Sequence, residues 1–172
     1  MATTESIIKT VDKLIRQTDS RDPFEICRQL GIRIRYHELG KIKAYFFCQS
    51  RIKNIVINSN TDDIARKILC AHELGHAILH GRIASDHGFH EITLFDSTTP
   101  TEYEANLFAA ELLISDDEII DLMDGKSFFE IAKTLCVPSA LVDFKCQILK
   151  KKGYDIAPPS LSDSHFLKDD KI

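Results

Sequence analysis

Apolar residues along the chain recur first at helical spacing, then at strand spacing, then at helical spacing again. Ile7, Ile8, Val11, Leu14 and Ile15 mark one face of a first amphipathic helix. Asp22-Pro23 places a capping carboxylate and a helix-starting proline before a short second helix, which Gly31 stops. The period then changes: Ile32 to Tyr36 alternates, Ala44 to Cys48 is rich in aromatic residues, and Ile52 to Ile57 is largely β-branched. These read as three short strands, joined around Leu39-Gly40-Lys41 and Gln49-Ser50-Arg51 into an antiparallel meander. Asn60, Thr61 or Asp62 can cap a helix running to about His80, with Gly81 as its stop. Residues 82–98 are polar and read as loop. Further helices are expected over Thr101 to Ile114, from Ser115 to Gly125, after the capping box Ser127-Phe128-Phe129-Glu130, and over Ser139 to Lys152.

This is an α+β pattern: a three-stranded antiparallel sheet packed on the helix 64–80, followed by a helical C-terminal part at about 115–152. One domain is expected over 1–153. The segment 154–172, with Pro158-Pro159 and many Ser and Asp residues, reads as a loose tail.

Composition narrows the class without changing it. The 172 residues are 44% hydrophobic and 28% charged, ordinary values for a chain that buries a core. A net charge of -4 gives no general reason to expect nucleic-acid binding. No apolar run approaches the roughly 20 residues of a membrane span, and Met1 to Thr10 lacks a signal-peptide pattern, so a cytoplasmic protein is expected. Cys27, Cys48, Cys70, Cys136 and Cys146 are odd in number, scattered and without a CxxC pair, which argues for reduced thiols rather than disulfides or a cysteine-held zinc.

The helix 64–80 carries the chemistry. After Lys67 its polar side chains are His72, Glu73, His76 and His80, gathered within an arc of roughly 100° on a helix that is otherwise apolar. Burying four such groups bare costs several kcal/mol, and a metal ion is the simplest partner. His72 and His76 stand one turn apart and can both reach one Zn²⁺. Glu73, rotated about 100° from His72, is placed as a general base rather than as an equal ligand. This is the HExxH arrangement of zinc-dependent hydrolases. Gly75 allows another backbone to approach the helix closely.

A catalytic zinc needs a third ligand and an open position. The segment Glu102 to Leu113 is the best source. Ala105, Phe108, Ala109, Leu112 and Leu113 define its core face; Glu102 lies roughly 60° from the centre of that face, Glu104 about 100° and Glu111 about 120°. Glu102 is therefore the expected ligand, Glu104 the reserve, and Asn106 a candidate support for a ligating imidazole. His80 is about 12 Å along the axis from His72 and reads as a hydrogen-bonded structural histidine. His87 and His90 fall in the loop and are candidates for lining the cleft. Leu79 and Arg82 stand where a metzincin would need Gly and His, which favours a glutamate-ligand (gluzincin) site in a small zincin-like domain.

Together, His72-Glu73-Leu74-Gly75-His76-Ala77-Ile78-Leu79-His80 and Glu102 to Leu113 resemble the ImmA/IrrE family of metallopeptidases over about residues 7 to 150. Asp22 to Cys27 and Ile55 to Asn58 match its style, and the short length looks most like ImmA-type proteins of phages and integrative elements. Ser115-Asp116 departs from the family, which often has proline after the Leu-Leu pair. The resemblance implies His72, His76 and Glu102 as ligands of Zn²⁺, with Mn²⁺ the alternative ion, and Glu73 as the catalytic residue. It also implies an anti-repressor role: cleavage of a helix-turn-helix transcriptional repressor, releasing genes of a mobile element or a stress response.

Two other readings compete. In one, the metal site shapes a surface that sequesters a repressor without cutting it. In the other, Ile131 to Val142 is a DNA-binding helix-turn-helix, although few basic side chains lie near its would-be recognition helix and direct nucleic-acid binding is not expected. Tyr36, Tyr45, Tyr103 and His90 are open candidates for stabilising an oxyanion.

Overall fold

The computed structural model describes residues 1–81, 89–91 and 99–156, with the backbone alone described over 89–91. Helix α1 (Thr4–Thr18) is capped by Thr3, and α2 (Pro23–Gln29) by the Asp22 carboxylate, which accepts from the Phe24 amide. Strands β1 (Arg33–His37), β2 (Ala44–Gln49) and β3 (Ile52–Asn58) follow, then α3 (Asp63–Leu79), capped by Asp62. A short strand β4 (Phe89–Glu91) precedes α4 (Pro100–Leu113), α5 (Asp116–Met123), α6 (Phe128–Thr134) and α7 (Ser139–Lys152). The capping box at Ser127 and Glu130 forms as its sequence pattern predicts.

The sheet is not the expected antiparallel meander. Its order is β1-β3-β2-β4, and β1 runs parallel to β3, Ile34 opposite Ile55. The β2–β3 hairpin does form, turning at Ser50 and Arg51, both at positive φ. The turn at Gly40 also reverses the chain, but widely, so that β1 passes over the end of β3 and pairs on its far side. Asn58 holds this crossing: its side-chain amide donates to the carbonyls of Gly40 and Ile42 at 3.2 and 2.9 Å. Burial explains the order. Asn54 to Ile57 are all buried, which suits a strand paired on both sides, whereas β1 exposes every residue except the half-buried Ile34. A second difference is β4, which lies in the stretch expected to be loop and pairs antiparallel with β2. Its three residues are too short for periodicity to reveal.

The elements stack in layers. Ala44, Phe46, Ile55 and Ile57 face α3 from the sheet, α4 packs on α3, and α1 and α7 pack on α4. The core runs through all of them, from Ile7 and Val11 through Leu69 and Leu74 to Phe108, Leu141 and Ile148. Helices α6 and α7 are joined by a short turn with Cys136 at positive φ, the outline of a helix-turn-helix. Yet Leu141, Val142, Phe144, Lys145, Cys146, Ile148 and Leu149 of α7 are buried, so one side of that helix serves the core, while Asp143, Gln147, Lys150 and Lys151 lie exposed on the other. After α7, Gly153 to Asp155 are exposed and Ile156 is partly buried against the core; the rest of the expected tail lies outside the described residues.

Candidate metal centre

Helix α3 is the buried helix its sequence implies, with every residue from Ile68 to Ala77 buried. His72, Glu73, His76 and His80 are all included in the interior, at 4% exposure or less. The facing helix α4 begins at the Thr99 cap, whose hydroxyl accepts from the Glu102 amide at 3.2 Å, and this fixes Glu102 in the first turn. The close approach needed between the helices is made at Gly75. A Cβ there would lie 3.2 Å from the Ala105 Cα and 3.2 Å from the Phe108 ring.

His72, His76 and Glu102 converge. The His72 Nε2 and His76 Nε2 atoms are 3.1 Å apart. Glu102 Oε2 lies 3.1 Å from His72 Nε2, and Glu102 Oε1 lies 3.4 Å from His76 Nε2. Donors each about 2.0–2.1 Å from a tetrahedral zinc lie roughly 3.3 Å from one another, so this triangle has the size the ion requires. The imidazole side chains are nearly sealed, at 2% and 1% exposure, while Glu102 keeps 17%, so the cluster meets solvent on the carboxylate's side.

The electrostatics suit ligation. Burial lowers the His76 pKa from 6.5 to about 4, keeping its ring neutral at pH 7 with a lone pair to offer. Burial would raise the pKa of Glu102, but hydrogen bonds with His72 and His76 outweigh it and hold the carboxyl well below its ordinary range. Two imidazoles and one carboxylate are the donor set of a catalytic zinc site. The residues present fit the ion.

Other candidates sort themselves by partner. Glu104, the reserve ligand, is not in the triangle: its Oε2 lies 2.9 Å from His80 Nε2, and His80 Nδ1 lies 3.1 Å from His76 Nδ1. His80 is thus hydrogen-bonded, as expected, but to a carboxylate that the helical angles had not paired with it. Asn106 is fully buried, one turn beyond Glu102. Tyr103 donates to Gln147 of α7 at 2.8 Å and packs on Phe144, and Tyr36 carries the Arg66 guanidinium over its ring. Tyr45 lies on the sheet face opposite Ala44 and Phe46, away from α3, and pairs in register with His90. His87 and the His90 side chain lie outside the described residues.

One cluster was not anticipated. Lys145 Nζ, fully buried, lies 2.6 Å from both Glu111 and Asp116, and Lys152 contacts the same two carboxylates at 2.6 Å. The departure at Ser115-Asp116 therefore has a local role: Ser115 caps α5 and Asp116 ties α5 to α7. The only sequence hint was a lysine on the apolar face of α7.

Residues 27–146, more than half of the chain, match the model of the IrrE N-terminal-like domain, a peptidase family. The chain belongs to the ImmA/IrrE family. It is 27% identical over 146 residues to metallopeptidase ImmA of Bacillus subtilis (strain 168), covering 83% of this chain and 85% of that one. It is 40% identical over 110 residues to immunity region protein 2 of Bacillus phage phi105, covering 62% of this chain and 66%, just under two thirds, of the phage protein. The ImmA/IrrE match spans the strands, α3 and α4, and so includes the whole His72, His76 and Glu102 triangle.

Proposed function

We propose that the protein is a zinc-dependent endopeptidase that cleaves a helix-turn-helix transcriptional repressor, and so acts as an anti-repressor for genes of a mobile element or a stress response. The observation that carries the reading is the convergence of His72, His76 and Glu102, whose ligand atoms lie within 4.8 Å of one another. His72, His76 and Glu102 would hold a zinc ion, which would supply Lewis acidity for water activation and for polarising a scissile carbonyl. Glu73, beside His72 on α3, accepts the proton of the attacking water and returns it to the leaving amine. The short edge strand β4 offers backbone groups on which an extended substrate segment pairs. The relatives, a metallopeptidase and a phage immunity-region protein, support the protease and the repressor in turn. Among the described residues no helix is long and apolar enough to cross a membrane.

The test is incubation of the protein, with zinc or manganese, and a repressor encoded beside its gene. New fragments support the peptidase, whereas a stable complex with intact repressor replaces it with a sequestering module. Glu73→Gln is expected to fold and retain zinc while losing roughly 10²–10⁴ in cleavage rate. Undiminished cleavage by that variant removes Glu73 from the role.

A further inference from the structure

Beyond the three ligands, α3 and α4 are joined a second time, by a buried chain of hydrogen bonds ending on the ligand His76. The chain runs from His76 Nδ1 to His80 Nδ1 at 3.1 Å, and from His80 Nε2 to Glu104 Oε2 at 2.9 Å. It continues from Glu104 Oε1 to the backbone amide of Ala2 at 2.8 Å. His80 and Glu104 are 4% and 5% exposed, so these are contacts inside the protein, not surface pairs.

We propose that His80 and Glu104 are positioning residues for the metal centre, which fix the tautomer and aim of His76. The inference rests on reading His72, His76 and Glu102 as ligands. Counting protons then gives one arrangement. A neutral imidazole has a single N–H, and the His76 Nε2, facing Glu102 and His72, must keep its lone pair for the cation. The His76 proton therefore sits on Nδ1 and is donated to His80 Nδ1. That atom can accept only if the His80 proton is on Nε2, where the Glu104 carboxylate accepts it. The second oxygen of Glu104 accepts the Ala2 N–H, so every link has one donor and one acceptor. Moving the His80 proton to Nδ1 would set two N–H groups against each other, or turn an N–H toward the cation.

Ligating histidines commonly donate their other N–H directly to a carboxylate, which orients the ring and raises its basicity. Here a second histidine, one turn along the same helix, is inserted between ligand and carboxylate. The contacts are separate: Glu102 of α4 meets His72 and His76, whereas Glu104, two residues on, meets His80, one turn beyond His76 on α3. A buried carboxylate is costly unless well paired, and Glu104 is paired at both oxygens.

The test measures zinc affinity by competition with a chromophoric chelator for the wild-type protein, His80→Ala, Glu104→Gln and the double variant. His80→Ala is expected to weaken zinc binding about 10–100-fold, with a smaller loss for Glu104→Gln, whose amide oxygen can still accept from His80. Adding Glu104→Gln to His80→Ala should cost nothing more, because Glu104 acts through His80; a residue that only stabilised the fold would give independent penalties. Folded variants that all bind zinc within about threefold of wild type, or penalties that multiply, overturn the proposal. A second measurement needs no variant: two-bond ¹H–¹⁵N correlation of the imidazoles in the zinc-loaded protein. His76 protonated on Nδ1 and His80 on Nε2 is the expected result, and a His80 proton on Nδ1 overturns it. Wild-type protein that takes up no stoichiometric zinc removes the metal reading itself, an outcome distinct from one in which wild type binds and the variants bind equally well.

Discussion

At the scale of single residues, Glu102 is the most exposed member of its triangle and the member supplied by a different helix, so its loss should separate metal binding from folding. Glu102→Ala is expected to keep the wild-type circular dichroism spectrum and to lose tight zinc, measured by metal content after gel filtration; retention of one zinc per chain would remove Glu102 from the ligand set. His76 gives a pH prediction. Its ring takes a proton near pH 4 in the folded chain but near 6.5 when exposed, so between those values the unfolded state binds more protons. Stability of the metal-free protein should therefore fall as pH drops from about 6.5 to about 4, read as a lower urea midpoint at pH 5 than at pH 7. Glu102, held ionised by the two rings, adds to the loss at more acid pH. The convergence of His72, His76 and Glu102 was legible because periodicity fixes which way a helical side chain points. The link from His80 to Glu104, 24 positions apart, was not, since it depends on the crossing of two helices, and no single-helix angle contains that information.

Elements test a different kind of claim, about how closely two backbones can approach. The Gly75 contact at 3.2 Å leaves no room for a branched side chain without moving α4. Gly75→Val is expected to destabilise the protein by about 1–3 kcal/mol through overpacking, and to weaken zinc binding as Glu102 is displaced; an unchanged melting temperature would mean that the crossing is softer than this contact suggests. The helices were readable from caps and apolar spacing: Asp22, Asp62, Ser115 and Ser127 all cap where their residue types place them. Strand order was not. Alternation in Ile32 to Tyr36 identifies a strand but not its partner, and the decisive interaction is one amide, Asn58, stitching a wide crossing. Strand β4, three residues long, offers fewer positions than any period can resolve.

For the whole molecule, the C-terminal helices are bound to the rest by charge as well as by apolar packing. Lys145 and Glu111 are the buried half of a square of two cations and two anions drawn from α4, α5 and α7, with Lys152 and Asp116 partly exposed. Lys145→Ala leaves Glu111 and Asp116 facing Lys152 alone, and removing one partner from such a set typically costs about 3–5 kcal/mol. Urea unfolding should show the loss, and a change under about 1 kcal/mol would show the cluster to be well solvated instead. This anchoring explains why α7, despite its helix-turn-helix outline, behaves as core: seven of its side chains are buried and the lysine among them points inward.

The two arms of the metal triangle come from positions 30 residues apart in sequence, so an ion held between them closes a long loop. Such an ion is a removable rivet. It binds the folded arrangement and not the open chain, and at a free concentration a hundred times its Kd it would add about 2.7 kcal/mol to stability. Metal supply would then govern the lifetime of the protein as well as its chemistry. Cells short of zinc would hold fewer copies, each more readily degraded.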